Sequence, residues 1–547
     1  MKLVSVEQMQ AVEREADANG LSYAMMMENA GSGLVREILS TFGDFQDGGV
    51  LGLVGSGNNG GDTLVALAEL ADLGWNSSAY IVKSREKEDP LIERLLSKGG
   101  KIIKINTDPD FNLLKSAIED HALLLDGVLG TGIQLPLKGD LAKTMGFAKA
   151  VVNQIRKRPK IVAVDCPSGV DCDTGQVAEE CLKANITITM AAVKRGLLEF
   201  PANNYIGDLK LVGIGLKKND KRSKTWQKIR RFVVDPVWAR DVLPPRPRDA
   251  HKGTFGTALI VAGSVNFTGA ALLAGMGAYR AGAGLVTLAV PAPLHKALAG
   301  QFPEGTWLLL PHELGVIEEG AAEVILDNLD KPTAMLLGPG FGLEDETYHF
   351  LEELLKGSPP SRHGAIGFVT EPDQKYEKEK SDLPPLVIDA DGLKHLARVP
   401  NWPEKIHQPA ILTPHPGEMS VLTDLEVAKI QSNRIDIAER YAREWEQVIV
   451  LKGANTVVAE PGGRTAVIPV ATAALAKAGS GDVLAGIIVG LRAQGVEAFE
   501  AAACGSWIHA QSGLQAAASL RTITPVLASD LLPATIKVIS DLESGQS

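Results

Sequence analysis

Several strings in this 547-residue chain place oxygens and free backbone amides where chemistry is done. In the first half, Gly55, Gly57 and Gly60 give a GxGxxG spacing between an apolar run, 50–54, and a helical pattern, 62–73. Amides at such a turn can receive phosphate. The usual dinucleotide fingerprint also has an acid about 20 residues on. Here the next run ends in Lys83-Ser84-Arg85, with Glu86 and Glu88 the nearest acids, which disfavours a standard hydride-transferring domain. Within the loop, Asn58-Asn59-Gly60-Gly61-Asp62 offers two amides and a carboxylate. That suits either an Asx-type turn with an Asp helix cap or a ligand site. Two further strings, Asp126-Gly127-Val128-Leu129-Gly130-Thr131-Gly132 and Asp165-Cys166-Pro167-Ser168, follow apolar runs in the same way. A carboxylate such as Asp165 can move a proton, or can simply cap the turn before Pro167.

The second half has its own set. Lys477-Ala478-Gly479-Ser480-Gly481-Asp482 precedes an apolar helical segment, 483–491. Small residues there free consecutive amides for a transferring phosphate. Asp482 is then placed to take a proton from a hydroxyl attacking phosphorus, or to serve as an ordinary helix cap. No GxxxxGK[ST] string occurs, so Walker-type phosphate binding is excluded. Lys452-Gly453-Ala454-Asn455-Thr456, Gly338-Pro339-Gly340-Phe341-Gly342, Asp389-Ala390-Asp391-Gly392 and Thr413-Pro414-His415-Pro416-Gly417-Glu418 all follow apolar runs. The two prolines beside His415 constrain its backbone and favour a placed side chain.

These loops need strands to end on. The first half alternates short apolar runs (50–54, 78–82, 102–105, 122–125, 161–164, 186–190) with helical segments such as 62–73 and 91–98. The second half repeats this with runs at 258–262, 285–290, 334–337, 386–388, 410–412 and 448–451. Runs at 457–460 and 465–469 flank Pro461-Gly462-Gly463 as a hairpin. Such alternation predicts parallel sheets covered on both faces, with ligands beyond the strand C-termini. Between the halves lies a basic, Pro-bounded stretch, read as a solvated linker over 217–235, which divides the chain into domains 1–216 and 236–547. Residues 358–385 read as a polar surface insertion.

Bulk composition narrows the classes. The formal charge is −11, which disfavours general nucleic-acid binding but not a nucleotide pocket. The four cysteines make no disulfide framework; Cys166, Cys172 and Cys181 read as reduced thiols, with a metal site the lesser alternative. The N-terminus lacks a signal core. The uncharged stretch 254–279 is broken by glycines and reads as a strand, a turn and a buried helix rather than a membrane span. The expectation is a soluble cytoplasmic protein without membrane or nucleic-acid partners. Its apolar helical faces are compatible with a core or with a homo-oligomer.

With MMENAG, GSGNNGGD, DGVLGTG and VDCPSGVDCDTG, residues 1–216 resemble the NAD(P)H-hydrate epimerase (YjeF N-terminal) family, with a Rossmann-like three-layer α/β/α fold. The resemblance implies substrate binding by Asn58, Asn59, Gly60, Gly61, Asp62, Gly130, Thr131, Gly132, Ile133, Gln134, Leu135, Pro136 and Asp165. It implies K+ held by Asn59, Asp126 and Ser168, and catalysis at Asp165. Thr63 departs from the family, which often has glycine there. With GPGFG, VIDADGL, LTPHPGEMSVL, VLKGANTVV and AGSGDVLAGIIVGL, the rest resembles the NAD(P)H-hydrate dehydratase family, with a ribokinase-like α/β fold. That implies hydrate contacts by Gly340, His415 and Asp482, and donor binding by Lys452, Gly453, Ala454, Asn455, Thr456 and Gly481. Asp482 would be the base, with Mg2+ and ADP, alternatively ATP, as phosphoryl donor.

The combined expectation is repair of NADHX and NADPHX, the hydrates of NADH and NADPH, by epimerisation and then dehydration. The alternative is a ribokinase-like kinase of a small metabolite with a regulatory N-terminal domain. A non-catalytic first half, as in related scaffold domains, is disfavoured by its intact Asn58–Asp62 and Asp165 strings.

Overall fold

The computed structural model describes residues 1–85, 88–357 and 383–545. The inserted segment expected at 358–385 therefore lies almost wholly outside the described residues. The chain forms two compact units, Met1–Phe232 and Val233–Ser547.

The first unit is built on seven parallel strands. They are β1 (Val50–Val54), β2 (Ser77–Ile81), β3 (Lys101–Lys104), β4 (Leu123–Gly127), β5 (Lys160–Val164), β6 (Ile186–Met190) and β7 (Asp208–Val212). Their order is β3-β2-β1-β4-β5-β6-β7. The direction of winding reverses between β1 and β4, and the crevice there is where open α/β sheets bind ligands. Val50 and Val54 of β1 enter the apolar layer beneath helices Val6–Ala18, Tyr23–Phe42 and Asn58–Asp72. Leu51 and Leu53 enter the opposite layer, with helices Asn112–Asp120 and Gly139–Gln154. Both faces are thus buried, which is why the strands read as continuous apolar runs.

The expected strands are present, with ends displaced by one or two residues. Strand β7 was not foreseen. Its sequence DLKLV alternates and is half exposed, as an edge strand can be. Helix Asn58–Asp72 starts four residues before the expected 62, with Gly57 as its N-cap. Asp62 is therefore inside the helix and does not cap it. Thr63 is fully buried, its hydroxyl donating to Asn59 O at 2.8 Å. Gly127 on β4 makes room for it: a Cβ there would meet Thr63 Oγ1 at 1.8 Å.

The stretch expected as a solvated linker is largely folded onto the first unit. Trp226 is buried, its indole N–H donating to Lys217 O at 2.9 Å. Ser223 and Thr225 hydroxyls donate to Glu15 at 2.6 and 2.8 Å. One aromatic anchor and a carboxylate outweigh the solvation of the surrounding lysines. Cys166, Cys172 and Cys181 are free thiols in a small apolar cluster with Val170 and Leu197. Among the described residues no group of three or more His, Cys, Asp or Glu is placed to hold a metal.

The second unit carries β8 (Thr257–Val261), β9 (Leu285–Pro291), β10 (Thr306–Leu310), β11 (Ala334–Leu337), β12 (Leu386–Ile388), β13 (Ile411–Leu412), β14 (Val448–Leu451), β15 (Val457–Ala459) and β16 (Thr465–Val467). These strands, which lie wholly within the unit, run in the order β16-β15-β14-β13-β12-β11-β8-β9-β10. Strands β10 to β14 pair in parallel; β14, β15 and β16 are antiparallel, with the expected hairpin at Gly462-Gly463. Edge strand β10, like β7, escaped the sequence pattern. The uncharged stretch 254–279 is β8 followed by helix Thr268–Arg280. Among the described residues no helix is long and apolar enough to cross a membrane.

Candidate active sites

A cavity of about 1130 Å³ opens in the first unit at the C-terminal ends of its strands. Gly55, Asn58, Asn59, Asp62, Leu129, Gly130, Thr131 and Asp165 line it, so the three strings of the first half meet there. Of the loop 130–136, only Gly130 and Thr131 reach the lining; Gly132, Ile133, Gln134, Leu135 and Pro136 run along the neighbouring surface. Gly55 and Gly60 serve the protein's own packing. A Cβ at Gly55 would strike Val128 O at 1.9 Å, and one at Gly60 would strike Gly55 O at 2.1 Å. Arg85 holds this turn, donating to Gly55 O at 2.8 Å and pairing with Asp89.

Asp165 follows β5 with φ +64°, a left-handed conformation that costs about 1–3 kcal/mol in a non-glycine residue. Its Oδ1 accepts from Met190 N at 2.9 Å and Thr189 Oγ1 at 3.1 Å, and pairs with Lys194 Nζ. Lys194 is only 1% exposed and also donates to Thr189 Oγ1 and Met190 O. Burial opposes its charge, but Asp165 outweighs that and raises its pKa. No motif marked Lys194. The available signal was a lysine inside the otherwise apolar run Ala191-Ala192-Val193. Glu13 and Asp62 face the same cavity. Burial pushes both carboxyls up, Asp62 well above the usual range, with the charge of Asp165 adding to it.

Beside the cavity Asn59, Asp126 and Ser168 gather around Leu129. Asn59 Nδ2 donates to Leu129 O at 2.8 Å, and Leu129 N donates to Ser168 Oγ at 2.9 Å. Asp126 is completely buried, and its Oδ2 accepts from Ser168 N at 2.8 Å. Burial raises the Asp126 pKa to about 6. Asn59 Oδ1 and Asp126 Oδ1 are buried without a hydrogen-bond partner among the described residues. Each such oxygen costs about 1–3 kcal/mol.

In the second unit Asp482 is the third residue of helix Ser480–Ala493, after Gly479 at φ +86°. Lys452 Nζ lies 2.6 Å from Asp389 Oδ1 and 3.5 Å from Glu418 Oε2. A Cβ at Gly481 would come within 3.6 Å of that Nζ. Thr413 Oγ1 donates to Asp389 Oδ1 at 2.7 Å. Burial and the charge of Asp389 raise Asp482 to about 7, against the pull of Lys452. His415 caps helix Pro416–Thr423, its Nδ1 accepting from Gly417 N at 3.0 Å, while Glu418 accepts from His415 N at 2.8 Å. Its position between two prolines is thus explained by a capping box.

Gly481, Lys452 and Asp389 form one cluster around Asp482, and Glu418 brings in His415. Gly340 packs against Phe267 and Ala270, and Gly342 N donates at 3.1 Å to Asp391, whose charge acts on Asp482. Gly453 and Ala454 form an exposed turn, held by Thr456 Oγ1 donating to Gly453 O at 2.9 Å. Asn455 is buried there. Asp389 and Glu418 were visible only as parts of strings, with no role attached.

The profile of the NAD(P)H-hydrate dehydratase family matches residues 258–535, and that of the YjeF-related protein N-terminus matches 23–196. The bifunctional NAD(P)H-hydrate repair enzyme Nnr of Moorella thermoacetica is 34% identical over 551 residues, covering 99% of this chain and 97% of that one. The chain belongs to the bifunctional NAD(P)H-hydrate repair enzymes. The Nnr protein of Thermofilum pendens is 32% identical, covering 100% of this chain and 98% of its own. The crystal structure of the ADP/ATP-dependent NAD(P)H-hydrate dehydratase of Bacillus subtilis, co-crystallised with ATP/Mg2+, aligns with 28% identity and a TM-score of 0.46, over 57% of this chain and 98% of that one. The repair enzyme's first unit has the expected Rossmann-like strand order, and its second is the ribokinase-like α/β half.

Proposed function

We propose that the cavity of the first unit is the epimerase site and the Asp482 cluster the dehydratase site of this repair enzyme. Together they return hydrated NADH and NADPH to the reduced cofactor in the cytoplasm. The observation that carries the reading is the convergence of Asn58, Asn59, Asp62, Gly130, Thr131 and Asp165 on one cavity at the switch point of the sheet. Gly132, Ile133, Gln134, Leu135 and Pro136 would close over bound substrate.

In the first site the buried Lys194 fixes the Asp165 carboxylate, which exchanges a proton with the ring hydroxyl of the hydrate. Asn59, Asp126 and Ser168 fit K+: all offer oxygen, and two of those oxygens have no other partner among the described residues. When bound, K+ would neutralise buried negative charge and fix the Leu129 turn.

In the second site Asp482 takes the proton of the ring hydroxyl as that oxygen attacks the donor's terminal phosphorus. The bond from phosphorus to the nucleotide breaks, and the amides of Gly479, Ser480 and Gly481 receive the transferred charge. Phosphate then leaves the ring, and loss of a ring proton regenerates the reduced nicotinamide. The hydrate would contact Gly340 and His415. The donor would lie along Lys452, Gly453, Ala454, Asn455, Thr456 and Gly481. Among the described residues no group of three or more His, Cys, Asp or Glu is placed to hold Mg2+, which suits an ion carried on the donor's phosphates. ADP is the preferred donor in this reading, with ATP the alternative.

The test is recovery of reduced-nicotinamide absorbance from S and R hydrates, with ADP or ATP and Mg2+. Recovery from S alone would remove the epimerase half. Recovery from neither, with phosphorylation of another small alcohol, would favour the kinase alternative. Replacing K+ with a bulky organic cation should slow epimerisation alone.

A further inference from the structure

Among the ionisable side chains lining the cavity of the first unit, Glu13, Asp62, Asp165 and Lys194 act on one another's charge, and the roles above engage two. Glu13 comes from helix Val6–Ala18, Asp62 from helix Asn58–Asp72, Asp165 from the turn after β5, and Lys194 from the short strand Val193–Lys194. Lys194 is fully occupied by Asp165, Thr189 and Met190. Asp62 is almost sealed from solvent, whereas Glu13 is half-buried and open to the cavity.

The reaction needs a second group. Reduced nicotinamide is an enamine, so water adds with its hydroxyl on the ring carbon bonded to nitrogen. Interconverting R and S inverts that carbon. An acid protonates the hydroxyl, the nitrogen lone pair expels it as water, and a flat cation remains. Water then adds to the other face while a base takes its proton. One C–O bond breaks and one forms, one water leaves and one enters, and one carboxylic acid gives the proton that a carboxylate elsewhere receives. A single carboxyl fixed on one side of a held ring cannot serve both faces.

Resting on the epimerase reading of this cavity, we propose that Glu13 is the second acid–base group, acting on the ring face that Asp165 does not reach. In the R-to-S direction Glu13 gives the proton and Asp165 takes one. The turnover leaves the two exchanged, ready for the reverse direction. Burial favours the protonated form of Glu13, with the charge of Asp165 adding and those of Lys194 and Arg14 opposing. Tyr23 and Asp62 also face it, the charge of Glu13 raising both of their pKa values.

The test uses the full chain with K+, the R hydrate of NADH, heavy-oxygen water and no donor nucleotide. The S product should carry heavy oxygen on its ring hydroxyl at the enzymatic rate, above the enzyme-free exchange. Glu13→Gln should lower kcat by about 100-fold or more, leave KM within about threefold, and remove the alkaline limb of the pH profile. Glu13→Asp should restore part of kcat and a displaced alkaline limb. An S product that keeps its light oxygen overturns the proposal. So does Glu13→Gln with wild-type kcat, or with both pH limbs intact. If thermal unfolding shows that Glu13→Gln does not fold, Glu13→Asp decides, and an unmoved alkaline limb overturns the proposal. Absence of any interconversion by the wild type instead breaks the epimerase reading itself.

Discussion

In the proposed sites Asp165 and Asp482 are both carboxyls that would move a proton beside a lysine, and the two units arrange this differently. In the first, one ammonium faces one carboxylate directly, through Lys194 and Asp165. In the second, Lys452 is divided between Asp389 and Glu418, and Asp482 feels what is left. Burial, with the charge of Asp389 adding, lifts its pKa to about 7, and Lys452 offsets only part of that rise. The first centre carries its own counter-charge. In the second, the charge state of the base depends on the local sum of charges, so whatever binds there can change it.

The sharpest way to break this comparison is to remove each carboxylate. Asp482→Asn should lower dehydration of the S hydrate by about 10²–10⁴-fold, measured as recovered reduced-nicotinamide absorbance, while R and S still interconvert. Asp165→Asn should do the converse, and joint loss in either variant would mean that the activities are not separable. Next in size is Lys194→Met, which leaves the Asp165 carboxylate without its buried partner. Denaturant titration should show the first unit destabilised by about 3–5 kcal/mol.

Lys452→Met should act on titration more than on folding. With Asp482 as the proposed base, activity needs its ionised form, so dehydration should rise with pH through about 7. Lys452 lowers that pKa, so its loss should move the acid limb to higher pH; a limb that stays in place would assign it to another group. Last is a glycine pair, one member disruptive and the other nearly neutral. Gly55→Ala should unfold the loop, because Val128 O occupies the space of its Cβ. Gly132→Ala meets nothing within 4 Å and should leave the melting temperature nearly unchanged, consistent with the roughly ±0.5 kcal/mol of neutral surface changes.

Much of this architecture was readable because parallel strands buried on both faces are continuous apolar runs. DLKLV of β7 was missed because its charged residues break the apolar run at a half-exposed edge, whereas TWLLL of β10 is itself an apolar run and was overlooked. The strings at 58–62, 126–132 and 165–168 meet at one cavity, since strand C-termini are where a parallel sheet exposes its loops. Lys194 and Glu13 were not legible. A buried lysine is rare enough to be discounted without knowing its partner, and Glu13 sits on a surface-type helix whose cavity-facing side appears only after folding. The glycine-rich loop was read as backbone room for a ligand, whereas Gly55 and Gly60 make room for the protein itself.

The seat of Thr63 against Gly127 has an evolutionary consequence. The two positions are 64 apart in sequence yet share one volume, in which a Cβ on one residue and a hydroxyl on the other would lie 1.8 Å apart. They cannot drift independently. A lineage that enlarges residue 127 must first shrink residue 63, and a glycine at 63 opens a path to alanine at 127 that this chain has closed. Between homologous chains these positions should change as a pair, and grafting one without the other would transplant a clash.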